Sequence, residues 1–103
     1  MKKIVFVPVR NKPPFKKGST TELLEKYFIN TNWKFIPLYD EESIFSAFNN
    51  AINKHEINKK DWIIFCHDDI EILSSPESLN KILQFYLNNP STGFLGCAGT
   101  EEL

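Results

Sequence analysis

The chain has 103 residues, of which 42% are hydrophobic and 14% aromatic, and its formal net charge is -1. This length suits one ordinary domain, and the apolar content excludes intrinsic disorder. The near-neutral charge argues against a dedicated nucleic-acid-binding protein, which would normally be strongly basic. The apolar runs are far shorter than the about 20 residues of a membrane span, and no secretory signal is visible. We therefore expect a single cytoplasmic domain over residues 1–103, with neither nucleic acid nor a transmembrane segment involved.

Four short apolar runs predict β-strands, over residues 4–9, 33–38, 62–66 and 94–98. The runs are continuous rather than alternating, which is typical of a parallel sheet covered by helices on both faces. Right-handed crossovers then favour the first strand between the second and the third, with the fourth strand beyond the third.

Three helical patterns separate these strands. Their predicted N-caps are Ser19 for the first helix, Asp40 or Ser43 for the second, and Ser75 for the third. Glu22 follows Ser19 at the spacing of a capping box, and Pro76 takes the favoured first position of the third helix. The resulting βαβαβαβ order predicts an α/β fold with three α/β/α layers and a mostly parallel four-stranded sheet.

Half of the basic residues precede the first acid, Glu22. These residues are Lys2, Lys3, Arg10, Lys12, Lys16 and Lys17. Such a run is usually a solvated loop, although a loop after a parallel strand also suits a phosphate ligand. Ligands of these sheets bind beyond the carboxyl ends of the strands, where the strand order reverses. We therefore expect the loop 10–18 and the segment 66–70 to meet at a ligand site.

His67, Asp68 and Asp69 directly follow the third predicted strand and are the strongest chemical signal. Adjacent acids at a strand end repel each other and lose hydration, and a divalent cation is the usual compensation. Alternatively, Asp68 or Asp69 caps the turn that follows. The sequence is compatible with both interpretations.

Two further pairs of residues allow predictions. Asn49 and Asn50 are poor helix formers within the second helix, so one of them is a candidate for hydrogen bonding to a ligand or to the carboxylate loop. A solvated helix face is the commoner explanation. Cys66 and Cys97 end apolar runs and lack the spacing of metal ligands. We expect both thiols to be buried and reduced.

The segment 65–72, Phe-Cys-His-Asp-Asp-Ile-Glu-Ile, resembles the end of the metal-binding strand in family-2-like glycosyltransferases of the GT-A fold. Most of these nucleotide-diphospho-sugar transferases carry an Asp-x-Asp motif there, and one subgroup carries the His-x-Asp form. Residues 44–53 are similar to the Asn-bearing helix of that subgroup, and residues 93–99 to its Gly-rich strand. Residues 5–11 resemble its first strand and the loop near the base. The resemblance implies the Rossmann-like, donor-binding half of the GT-A fold.

The resemblance also implies a ligand and a cofactor, namely a nucleotide-diphosphate sugar and Mn²⁺ or Mg²⁺. It implies that Asp69 binds the metal ion. The residues implied to contact the nucleotide or the sugar are Val9, Arg10, Asn11, Asp40, Asn49, His67 and Asp68. The resemblance identifies no catalytic base, and a base would have to come from elsewhere or from Glu101 or Glu102.

Glycosyltransferases of this kind continue for about 100 residues more, which supply acceptor contacts and, in inverting members, a carboxylate base. The sequence ends at Leu103, so we expect donor binding with negligible sugar transfer by this chain alone. A second copy or a partner chain would then supply the acceptor site. The alternative is a non-catalytic remnant or interaction module that keeps the half-fold. A weaker alternative is another phosphate-handling α/β enzyme, with Asp68 or Asp69 as its nucleophile.

Overall fold

A computed structural model describes residues 2–58, 60–70 and 72–88. The elements are β1 (Lys3–Pro8), α1 (Thr20–Ile29), β2 (Lys34–Leu38), α2 (Ile44–Lys54), β3 (Trp62–Phe65) and α3 (Pro76–Leu87). The chain divides into two compact units, Met1–Leu73 and Ser74–Leu103. The first unit holds the sheet with α1 and α2, and the second holds α3. Within the described ranges, no helix has the length and apolar character needed to cross a membrane.

The sheet is parallel and has the order β2-β1-β3. Val5 of β1 pairs with Phe35 of β2 on one side and with Ile64 of β3 on the other. The predicted α/β class, the parallel pairing and the central position of the first strand are therefore confirmed. The described sheet has three strands, and the predicted fourth strand, 94–98, lies outside the described residues together with Cys97.

One face of the sheet packs against α2. Ile4 and Phe6 of β1 form a buried cluster with Ala51 of α2. Phe48 of α2 adds to the cluster, and its ring centroid lies 4.0 Å from that of Phe65 at the end of β3. Burying a side chain of the size of Phe6 stabilises the fold by about 1.5–3 kcal/mol, so this face anchors α2 and the end of β3 together.

The opposite face of the sheet carries Val5 and Val7, which are both 0% exposed. Successive side chains of a strand point to opposite faces, and right-handed crossovers place α1 on the face that α2 leaves open. Leu24 and Phe28, which are spaced by four residues on α1, are buried at 2% and 1% exposure. The two helices therefore sandwich the central strand, which fixes the position of the loop that follows it.

The start of α1 shows the predicted cap with one difference. Ser19 Oγ accepts a hydrogen bond from the Glu22 N–H at 3.2 Å, as the capping box requires. The Glu22 carboxylate accepts from the Gly18 N–H at 3.0 Å rather than returning to Ser19, because the Ser19 N–H already donates to the Lys16 carbonyl. The Gly18 N–H, with a smaller contribution from Lys26, lowers the pKa of Glu22. The cap therefore also closes the loop that leads from β1.

The caps of the other two helices follow the sequence. Of the two candidates for α2, Ser43 is the cap, since its Oγ accepts from the Ser46 N–H at 3.1 Å. Asp40 instead lies within the connection from β2 to α2 and has a left-handed backbone, at φ 61°. In α3, Ser75 Oγ accepts from the Ser78 N–H at 3.2 Å, and Pro76 is the first helical residue. The short polar side chains thus start each helix where the sequence predicts it.

His55 ends α2 and packs its ring 5.4 Å, between centroids, from that of Phe6. Burial lowers the pKa of His55, and the positive charges of Lys54, Lys34 and Lys2 lower it further. His55 therefore binds a proton less readily in the folded chain than in the unfolded chain, where it titrates at the ordinary histidine pKa of about 6.5.

We expect the free energy of unfolding to fall as the pH drops from about 7.5 to about 5.5, because protonation of His55 favours the unfolded chain. His55→Gln should make this fall smaller, as measured by urea unfolding at several pH values. His67→Gln is the matched control, since the chain's other histidine is exposed and its replacement should leave the fall in place. An identical pH dependence in His55→Gln and the wild type would contradict the expectation.

Candidate functional site

The candidate site lies at the carboxyl ends of β1 and β3. The chain leaves β1 toward β2 on one side and later returns to β3 on the other side, so the strand order reverses between β1 and β3. Crevices at such a reversal are the usual ligand sites of parallel sheets. The Arg10 N–H, just after β1, donates to Asp68 Oδ2 at 3.2 Å. The predicted meeting of the loop 10–18 with the segment 66–70 is confirmed.

Asp68 connects three parts of the first unit. Its carboxylate, with the side chain 14% exposed, accepts the backbone hydrogen bond of Arg10 from the loop after β1. Its carbonyl accepts from Thr20 Oγ1 at 2.9 Å and from Thr21 Oγ1 at 3.4 Å, both on the first turn of α1. The described partner of the Asp68 carboxylate is therefore Arg10, in the loop after β1. A turn cap would instead have its partner in the turn that follows Asp68. Asp68 holds β1, β3 and α1 together at the crevice.

Asp69 is more open, with its side chain 62% exposed. Arg10 Nη2 lies 3.6 Å from Asp69 Oδ2, and Arg10 Nε lies 3.7 Å from Asp68 Oδ1. The guanidinium thus supplies the positive charge that two adjacent carboxylates need. The distances exceed the about 2.7–2.9 Å of strong charge-assisted hydrogen bonds, and the Arg10 side chain is 75% exposed. Such a contact stabilises the fold by about 1 kcal/mol at most.

Two neighbouring cavities open at this edge of the sheet. The larger, of about 480 Å³, is lined by six of the predicted site residues: Val9, Arg10, Asp40, His67, Asp68 and Asp69. The smaller, of about 250 Å³, is lined by Arg10, Asn11, Lys16, Ser19, Thr20 and Asp69, among others. The larger volume is within the range of ordinary small-molecule pockets, about 300–1,000 Å³. The structure therefore brings together every predicted site residue except Asn49, which lies on α2 and lines neither cavity.

The loop after β1 is also tied to the end of β2. Lys12 Nζ lies 2.9 Å from Asp40 Oδ2 and 5.5 Å from the centroid of the Tyr39 ring. The hydrogen bond and the negative charge of Asp40 raise the pKa of Lys12. Arg10 and Lys12 are two residues apart, yet they pair with acids that follow different strands. The loop is therefore held at both sides of the larger cavity.

Thr20 and Thr21 were not predicted from the sequence as residues of the site, and Lys12 and Lys16 were expected there only as members of the basic loop. Thr20 and Thr21 hold the Asp68 carbonyl, and Lys12 holds Asp40. Lys16 lines the smaller cavity. The sequence signal for the two threonines was the run Ser19-Thr20-Thr21 at the start of the first helix. Ser19 was assigned as the cap, and the hydroxyl groups of Thr20 and Thr21 had no assigned hydrogen-bond partner. Asn50, the neighbour of Asn49, donates to Glu41 Oε2 at 3.2 Å.

The carboxylates of Asp68 and Asp69 suit a divalent cation that also binds a phosphate ligand. Their oxygens are the ligands that Mg²⁺ and Mn²⁺ prefer. Among the residues that the structure describes, no group of three or more His, Cys, Asp or Glu side chains is suited to hold a metal ion. Mg²⁺ is commonly bound by one or two carboxylates together with substrate phosphates and water. The donor set therefore suits a cation shared with a phosphate ligand rather than one caged by protein alone.

The remaining predicted residues beside the site differ in exposure. Cys66 directly follows the last residue of β3 and is buried at 6% exposure, as predicted. His67 is exposed and faces the larger cavity. The acids Glu101 and Glu102 lie outside the described residues.

No protein family, curated protein or solved structure matches this chain. The resemblance of residues 65–72 to the metal-binding strand of GT-A glycosyltransferases stays a prediction from the sequence.

We expect Asp68→Ala to destabilise the fold by about 1–2 kcal/mol, because it removes the acceptor of the Arg10 N–H from a largely covered position. Asp69→Ala removes an equal charge from the neighbouring, exposed position and should change stability by about 0.5 kcal/mol or less. Urea unfolding of both variants measures the difference. Equal losses in the two variants would show that Asp68 does not connect the crevice as described.

Proposed function

We propose that this chain is a glycosyltransferase-like domain that binds a nucleotide-diphosphate sugar through a divalent cation, for transfer to an acceptor that its residues do not identify. The observation that carries the proposal is the meeting of Arg10 with Asp68 and Asp69 at the reversal of strand order. A basic loop and a pair of carboxylates at one crevice suit a diphosphate with its cation. The resemblance of residues 65–72 to the metal-binding motif supports the same ligand.

The residues of the smaller cavity suit the diphosphate. Arg10 and Lys16 contribute positive charge, and Ser19 and Thr20 contribute hydroxyl groups at the start of α1. The exposed end of a helix favours negative groups as well, since its first N–H groups point outward. A cation at Asp69 would neutralise the diphosphate as it leaves the sugar. This chain's own cations would assist by fixing the phosphate oxygens in place.

The residues of the larger cavity suit the nucleoside and the sugar. Asp40 lies after β2 and His67 after β3, so both side chains have access to hydroxyl groups of a ligand between the strands. Asp40 is at present paired with Lys12, at 68% side-chain exposure, and an ion pair of that exposure is weak enough to exchange its partner. The carboxylate therefore remains a usable acceptor for a ribose or sugar hydroxyl.

A non-catalytic interaction module is the second candidate, and a specific observation favours it. The guanidinium of Arg10 already compensates both carboxylates, and Asp68 bonds to the backbone and hydroxyl groups of its own chain. A remnant that kept the fold without its ligand would retain these contacts. The two candidates differ in whether the crevice binds a nucleotide with metal dependence.

We expect a nucleoside diphosphate to bind weakly without a divalent cation and at least about tenfold more tightly with Mn²⁺, because the cation bridges carboxylate and phosphate oxygens that otherwise repel. Asp69→Asn keeps the shape of the side chain and removes its charge, so it should abolish most of the gain from Mn²⁺. Asp68→Asn should reduce the gain less, since its proposed partner is a hydroxyl group. Calorimetric titration with UDP, GDP, CDP and ADP, with and without Mn²⁺, measures these differences.

The matched control is Glu77→Gln, which makes the same charge change at an exposed position of α3. It should leave the Mn²⁺-dependent gain unchanged. Nucleotide affinity that is equal with and without Mn²⁺, or no binding of any nucleotide by the folded chain, would reject the proposed function and favour the interaction module.

A further inference from the structure

The guanidinium of Arg10 lies beside the carboxylates of both Asp68 and Asp69. Its Nη2 lies 3.6 Å from Asp69 Oδ2 and its Nε 3.7 Å from Asp68 Oδ1. We propose, building on the proposed function, that Arg10 is an internal counter-ion that a divalent cation and a diphosphate displace together. In the free chain Arg10 neutralises the acids, and in the bound chain its side chain moves to the phosphate groups.

The contact is suited to exchange. The Arg10 side chain is 75% exposed, and exposed ion pairs at these distances are weak. The backbone of the same residue is held more firmly, because its N–H donates at 3.2 Å to the Asp68 carboxylate, whose side chain is only 14% exposed. The side chain of Arg10 can therefore leave the acids while the loop stays in place.

The smaller cavity offers a new position for the displaced guanidinium. Arg10 itself lines this cavity of about 250 Å³, together with Lys16 and the hydroxyl-bearing start of α1 at Ser19 and Thr20. An arginine binds phosphate oxygens through two parallel N–H donors, so a diphosphate there would replace the carboxylates as its partner. Asp69, with its side chain 62% exposed, would keep its carboxylate for the cation.

This exchange couples the two ligands. Without a diphosphate, a cation at Asp69 has to compete with Arg10 and leaves the guanidinium without an acidic partner. With a diphosphate present, Arg10 gains phosphate oxygens as it releases the acids. Each ligand therefore raises the affinity of the other by the same factor, as linkage requires. The size of that factor depends on Arg10, because its side chain exchanges the acids for the phosphate oxygens.

The test is the affinity of the nucleotide-free chain for Mn²⁺, measured by electron paramagnetic resonance of free Mn²⁺. Arg10→Met keeps the length of the side chain and removes the competing charge, so Mn²⁺ alone should bind about three- to fivefold more tightly than to the wild type. The increase in Mn²⁺ affinity on adding the best-binding nucleoside diphosphate should be smaller in the variant by a similar factor. Arg10→Lys restores a positive charge at the position and should return both values toward those of the wild type.

The matched control is Lys34→Met, which removes an equal charge at the exposed first residue of β2. Lys34 lies at the amino ends of the strands, opposite to the crevice, so this variant should change Mn²⁺ affinity less than 1.5-fold, about the precision of the titration. A gain in Lys34→Met equal to that in Arg10→Met would overturn the proposal, since the effect would then come from overall charge. No gain in Arg10→Met would overturn it as well.

These failures are distinguishable from failure of the proposed function. Metal-dependent nucleotide binding by the wild type, with no gain in Mn²⁺ affinity in Arg10→Met, rejects the counter-ion role alone. Absence of Mn²⁺ and nucleotide binding in every variant, with thermal unfolding showing that all are folded, rejects the proposed function and the counter-ion role together.

Discussion

The hydrogen bond from the Arg10 N–H to the Asp68 carboxylate is the contact on which the arrangement of the crevice depends. It joins the segments that follow β1 and β3, two strands that are adjacent in the sheet, although Arg10 and Asp68 are 58 residues apart in the chain. The Asp68 carbonyl extends the connection to α1 through Thr20 and Thr21. Because the strand order reverses at this point, the connections diverge on either side and leave the edge of the sheet open. One aspartate thus fixes the walls of the cavity while remaining part of its lining.

The two adjacent acids, Asp68 and Asp69, differ in their exposure and in their partners. Asp68 is largely covered and bonded to its own chain, so its carboxylate serves the structure whether or not a ligand is present. Asp69 is mostly exposed, and Arg10 at 3.6 Å is its ion-pair partner, so its carboxylate is the one that exchanges partners at low cost. In the proposed function, this difference in exposure separates stability from binding at neighbouring positions. An exposed guanidinium on a fixed backbone can leave the acids readily, whereas a buried cation would be costly to displace.

The loop after β1 owes its shape to contacts at both ends. Its positive charges meet acids at the ends of β3 and β2, through Arg10 and Lys12 respectively. Gly18, at φ 82°, takes a backbone conformation that other residues adopt only with strain, and its N–H donates to Glu22 at the start of α1. The loop is therefore closed onto the helix at one end and spread between strands at the other. That geometry places Arg10 and Lys16 beside the smaller cavity, with both residues still exposed to solvent.

The sequence by itself determined the parts of this protein that depend on local pattern and on the handedness of the connections. Continuous apolar runs predicted three of the strands to within about one residue, Ser19 and Ser75 predicted two helix starts, and right-handed crossovers predicted the central position of β1. The meeting of the basic loop with the acids followed from the same topology. Only the tertiary structure decided which acid is structural and which is open, that Thr20 and Thr21 hold the Asp68 carbonyl, and that Lys12 pairs with Asp40. Those outcomes depend on side-chain distances between residues far apart in the chain, and the packing of α1 and α2 on the two faces of the sheet sets these distances.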